Sequence, residues 1–188
     1  MIGRWLFVFG FATALVASFG CSNGGSDGTT PPALACSDGG AAGADTVTMN
    51  CAGPADSTTE QVDIVMGGGA TTATTLRGLN FDVTYDPTKL EFVPAATYTS
   101  PLFSPNAQIA VALLNGLPGQ LVVGIQENGS VVAPVSVAAG QQAVVLSLSF
   151  RTAAGVTVAP TPLTFAYAEA TSASATVAFT NGLTLSYQ

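Results

Sequence analysis

The chain has 188 residues, 48% of them hydrophobic and only 8% charged, with no histidine. That is enough for one domain with extensions and a proper core. Eleven acids against four bases give a net charge of −7, which argues against non-specific attraction to nucleic acid or anionic lipid. Without histidine, Ser-His and Cys-His catalysis and the commonest zinc ligand are excluded.

Residues 1–20 read as a targeting segment. Arg4 supplies the positive start, and Trp5 to Phe19 is apolar apart from Gly10, Thr13 and Ser18. The run of about 15 residues is shorter than the ~20 that a membrane-spanning helix needs. It ends in Ser18-Phe19-Gly20-Cys21, which resembles the lipobox of bacterial lipoproteins. The resemblance implies that Cys21 is lipidated and becomes the mature N-terminus, with Ser22 after it favouring an outer-membrane or cell-surface address. An ordinary secretory signal, or an uncleaved anchor, is the other reading of the same run.

Residues 21–44 are rich in Ser, Asn, Gly, Asp, Thr and Pro and are expected to form a flexible tether. Asp27-Gly28 and Asp38-Gly39 lack the regular Asp spacing and closing Glu of a calcium loop, so no metal or other cofactor is expected. If Cys21 carries lipid, Cys36 and Cys51 remain as a pair for a disulfide in an oxidising compartment.

From residue 45 to 188 the sequence reads as strands. Short β-branched and apolar runs alternate with turn residues, the pattern of a sandwich. The expected strands are Asp45–Asn50, Gln61–Met66, Leu76–Tyr85, Leu90–Pro94, Ala107–Leu113, Gln120–Gln126, Ala143–Arg151, Leu163–Ala168 and Ala175–Ser186. Asn115-Gly116 and Asn128-Gly129 are turn signals, and Asn181-Gly182 is expected to bend or bulge the last strand. Period two points Leu79, Phe81, Val83 and Tyr85 inward, with Asn80, Asp82 and Thr84 outward. It likewise assigns Leu121, Val123 and Ile125, then Leu146, Leu148 and Phe150, and finally Leu163, Phe165 and Tyr167 to the core. Asp86-Pro87 suits a cap followed by a first-turn proline.

Phe81, Tyr85-Asp86-Pro87 and Leu90-Glu91 together resemble the third-strand signature of cohesin modules, and the likeness extends loosely over residues 58–188. The resemblance implies an all-β, nine-stranded jelly-roll β-sandwich related to cellulose-binding modules. It implies a non-catalytic module that binds a protein partner, which in that family is a dockerin. The family's partner lies across the outer face of the sheet holding the signature strand. Asn80 and Gln126 fall where partner contacts are expected, and Asp82 joins them on the same face by alternation.

Other chemistry is poorly supplied. Asp82 and Asp86 lie four strand residues, or ~13 Å, apart, too far for a glycosidase pair; an approach of Asp63 or Glu127 to one of them across strands is open, and nothing in the sequence fixes it. Trp5 is the only tryptophan and belongs to the targeting segment, leaving Tyr98 and Tyr187 as the aromatics expected to be exposed. That is sparse for a sugar-stacking platform. The expectation is a lipid-anchored surface protein acting as a scaffold or receptor for a dockerin-type or other protein. The alternatives are a carbohydrate-binding module on polysaccharide and a purely structural cell-surface domain.

Overall fold

The computed structural model describes residues 34–56, 58–128, 133–156, 160–171 and 173–187, with residue 187 described by its backbone alone. The targeting segment, Cys21 and the first part of the expected tether lie outside the described residues. Among the described residues all regular structure is strand: β1 Leu34–Ser37, β2 Thr46–Pro54, β3 Thr59–Gly67, β4 Thr74–Leu76, β5 Gly78–Thr84, β6 Leu90–Val93, β7 Gln108–Leu113, β8 Gln120–Gln126, β9 Val135–Val137, β10 Gln142–Thr152, β11 Thr161–Thr171, β12 Ala178–Thr180 and β13 Leu183–Tyr187. A six-stranded sheet runs β1-β13-β11-β5-β8-β7, and a five-stranded sheet runs β12-β2-β3-β10-β6. They pack as a jelly-roll sandwich, with β4 and β9 forming a small ribbon.

Alternation builds the core between the sheets. Leu79, Phe81, Val83, Leu121, Val123 and Ile125 from one sheet are buried against Val62, Ile64, Met66, Leu146, Leu148 and Phe150 from the other. Partly buried rings pack edge-on against this core. Phe165 meets Phe81 at 5.5 Å and Phe179 at 5.3 Å, and Tyr85 meets Phe150 at 5.4 Å. Such edge-to-face pairs add to the stabilisation from buried area alone.

All nine expected strands are present, but the structure divides the chain more finely. Leu76–Tyr85 breaks at Arg77, where β4 leaves for the ribbon and β5 joins the main sheet. Ala175–Ser186 breaks at Asn181-Gly182, where the chain crosses from the five-stranded to the six-stranded sheet. Asn181 Oδ1 accepts the Phe165 N–H there at 2.7 Å. Gly182 passes so close to Gly39 that an added Cβ would sit 3.4 Å from the Gly39 Cα.

The tether expected over 21–44 ends earlier than residue 44. Leu34–Ser37 pair antiparallel with β13 as an edge strand, with Leu34 buried. Four residues are too few for a period-two signal, and their partner is at the far end of the sequence. The Cys36–Cys51 disulfide is formed, with a sequence separation of 15. It joins β1 of one sheet to β2 of the other.

Candidate functional site

The outer face of the six-stranded sheet is built by register. On β5, Asn80 and Asp82 alternate with fully buried Leu79, Phe81 and Val83, so both carboxamide and carboxylate turn away from the core. Asn80 lies opposite Gly124 of β8, and Gln126 opposite Gly78. Asn80, Asp82 and Gln126 therefore share one face, with Gln126 diagonal to Asn80 across the strand pair. Asn80 and Gln126 are exposed and Asp82 is half-buried.

Four neighbours shape this face. Gln120 Nε2 donates to Asp82 Oδ2 at 2.7 Å, fixing the carboxylate beside β8. Gly124 leaves room for the Asn80 side chain, since a Cβ there would come 3.2 Å from Asn80 Oδ1. Beyond β8, Ala110 and Ala112 of β7 continue the rows with small side chains opposite Gly124 and Val122.

The fourth strand of the face departs from the alternation. Tyr167 was expected in the core with Leu163 and Phe165, but it is 53% exposed. A β-bulge between Phe165 and Tyr167 inserts Ala166, and the extra residue turns Tyr167 to the outer face opposite Asp82. Glu169 follows it, opposite Asn80. The Tyr167 hydroxyl donates to Glu169 Oε2 at 2.6 Å. That carboxylate, and more weakly Asp82, holds the phenol above its ordinary range. The face thus runs from an acidic, aromatic side on β11 and β5 to an uncharged, small-residue side on β8 and β7. Nothing in the sequence marks the bulge, so Tyr167 and Glu169 were not legible as members.

The remaining acids are dispersed. Asp63 lies on the five-stranded sheet and accepts from Ser147 Oγ at 2.6 Å. Glu127 is buried beyond the end of β8, where it accepts from Ser104 N and Oγ at 2.7 and 2.6 Å. Asp86 caps its own turn, accepting from Thr88 N and Oγ1 at 2.9 and 2.6 Å. Those two bonds, and then Lys89, draw its carboxyl below the usual range. Among the described residues no three His, Cys, Asp or Glu side chains gather as metal ligands. Tyr98, expected to be exposed, is half-buried, and its hydroxyl oxygen accepts the Ala95 N–H at 3.0 Å. The Tyr187 side chain lies outside the described residues.

The architecture has solved counterparts. The third cohesin of ScaC from Acetivibrio cellulolyticus, solved with a dockerin, superposes with a TM-score of 0.53 at 14% identity, over 73% of this chain and 95% of that one. The sixth cohesin of scaffoldin B from the same organism, also with a dockerin, gives 0.51 at 17% identity, over 73% and 95%. The fold is cohesin-like. A type I cohesin–dockerin complex from Clostridium thermocellum extends the likeness to 80% of this chain and 99% of its own, at 11% identity and a TM-score of 0.50. No protein-family model matches the cohesin-like domain or the rest of the chain, and no curated protein matches it.

Proposed function

We propose that this chain is a non-catalytic protein-binding module, held at the cell envelope by lipid on Cys21, that engages its partner on the outer face of β11, β5, β8 and β7. One observation carries the reading: Asn80, Asp82 and Gln126 stand together on the outer face of a sheet, in a fold of which three of the solved counterparts were determined with dockerins. A dockerin-type helical module is the first partner to test. The dispersal of the acids and the lack of histidine support a non-catalytic role.

The face suits a rigid protein surface better than a sugar. Tyr167 is a single exposed ring, and its hydroxyl is engaged by Glu169. The acidic side, Asp82 with Glu169, favours a partner presenting basic or hydroxyl groups there, and Gly124, Ala110 and Ala112 allow close backbone approach.

The test is titration of immobilised chain with dockerin modules encoded in the same genome, and with proteins captured by cross-linking on whole cells. Asn80→Ala with Gln126→Ala is expected to weaken binding at least tenfold, or ~1.4 kcal/mol, with an unchanged melting temperature. Unchanged affinity in the double variant would reject this face. Anchoring is tested separately by intact mass, where acylation of a chain beginning at Cys21 is expected and Cys21→Ser abolishes it.

A further inference from the structure

Among the described residues, the large hydrophobic side chains left exposed are Leu113, Leu114, Leu117, Val122 and Tyr167. Four of the five belong to one hairpin, β7–β8, and three crowd its tip. Leu113 and Leu117 are 51% and 52% exposed and Leu114 is 39% exposed. Concentrated apolar surface of this kind marks a contact site, whereas single exposed apolar residues need no explanation.

The tip is rigid. Two tight turns follow one another, closed by Leu117 N–H to Leu114 O at 3.1 Å and by Gln120 N–H to Leu117 O at 3.2 Å. Gly116 and Gly119 supply the positive φ, 88° and 85°, that the third position of each turn requires, and Pro118 presets the second turn. The Gly119 carbonyl also accepts the Tyr85 N–H at 2.8 Å, tying the tip to the end of β5.

Register shows where the tip points relative to the chain's entry. Gln120 at the start of β8 lies opposite Thr84, and Thr84 opposite Thr164. One residue further, Leu163 lies opposite Leu183. From there β13 runs on in the same direction to Tyr187, which is opposite Leu34, the first residue of β1. The chain therefore enters the six-stranded sheet at the same end from which the leucine tip projects. Residues 22–33 between Cys21 and β1 can span at most about 40 Å.

We infer that the β7–β8 tip dips into the lipid surface, through Leu113, Leu114 and Leu117, beside the acyl chains on Cys21; this rests on the anchoring proposed above. The acyl chains hold the protein and the tip orients it, because a few leucines alone bind lipid weakly. Lys89 and Asp86 on the neighbouring turn pair with each other at 3.3 Å, and the chain is acidic overall, so the lipid it suits is zwitterionic. Contact at the tether and at the tip stands the sheet on its end. The face carrying Asn80, Asp82 and Gln126 then looks sideways, open to a partner.

The test uses the full chain with Trp5→Phe, so that one introduced tryptophan is the only reporter. Leu117→Trp is placed on vesicles of phosphatidylcholine and phosphatidylethanolamine containing brominated phosphatidylcholine. Ala139→Trp, in the exposed turn between β9 and β10 at the other end of the sandwich, is the control. The expected result is a blue shift and at least twofold quenching for Leu117→Trp, none for Ala139→Trp, and loss of quenching when Leu114→Asp is added. Intact mass reads the anchor independently. An acylated chain without quenching at Leu117→Trp overturns tip insertion and leaves the anchor standing, whereas quenching without acylation overturns the anchor alone. A blue shift before vesicles are added means that another protein copy covers the tip, which also overturns insertion.

Discussion

Glu60 lies in the inward row of β3 with Val62, Ile64 and Met66, opposite Phe150, and is only 4% exposed. Burial raises its carboxyl above the ordinary range, and a hydrogen bond from the Gly53 backbone offsets part of that. A raised carboxyl favours the folded state in its protonated form. The contribution is present below the ordinary carboxylate range and is lost as pH rises through the folded-state value. Glu60→Gln is therefore expected to raise the melting temperature at pH 7 relative to the parent, with the difference shrinking toward pH 4 in paired thermal scans. Gly78 makes a second argument at this scale. A Cβ there would meet the Ile125 carbonyl oxygen at 2.7 Å, a backbone atom that cannot swing aside. Gly78→Ala should cost roughly 1–3 kcal/mol in denaturant unfolding, whereas Gly124→Ala, facing only the movable Asn80 side chain, should cost less and act mainly on binding.

At the scale of elements, register decides which side chains reach the candidate face. Phe165 pairs with Val83 and Tyr167 with Asp82, leaving Ala166 as the extra residue of the bulge. Removing Ala166 would restore plain alternation with Phe165 inward and Tyr167 outward, so both would keep their faces. The deletion is expected to fold, with stability within about 1–2 kcal/mol of the parent and Tyr167 still open to a water-soluble tyrosine reagent; burial of Tyr167 would contradict this register. The same bulge shows why legibility in the sequence was uneven. The inward rows of β5 and β8 could be read residue by residue because period two runs through them unbroken. Asn80, Asp82 and Gln126 were legible on one face for that reason. Tyr167 and Glu169 were not, because one inserted residue inverts the pattern without changing composition. At Arg77 and Asn181-Gly182 the β-like pattern continues while the chain changes sheets, a fact of pairing that local sequence does not encode. β1 was hidden in turn-rich surroundings, since its strand character comes from β13 and from Cys36.

For the whole molecule, the Cys36–Cys51 bridge is a covalent cross-link between the two sheets in addition to the chain's own crossings. β1 is an edge strand of four residues, held on one side by β13. Without the bridge, only that ladder, the buried Leu34 side chain and local bonds such as Cys51 N–H to Asp38 Oδ2 at 2.7 Å would retain it. Tension on an N-terminal lipid tether would enter at Leu34 and load this short ladder first. With the bridge intact, the load passes at Cys36 into β2, which is paired along its length with β3 in the middle of the other sheet. A loop of this length corresponds to ~3 kcal/mol in the chain-entropy account. Paired Cys36→Ser and Cys51→Ser substitution is expected to lower stability by about that amount, while far-UV circular dichroism stays β-dominated because most of the buried core lies beyond Cys51. Hydrogen exchange should then rise selectively in β1 and in the β13 amides facing it. If exchange instead rises evenly across β3, β5, β8 and β10, the bridge supports the entire sandwich, and the account of β1 as a stapled edge is wrong.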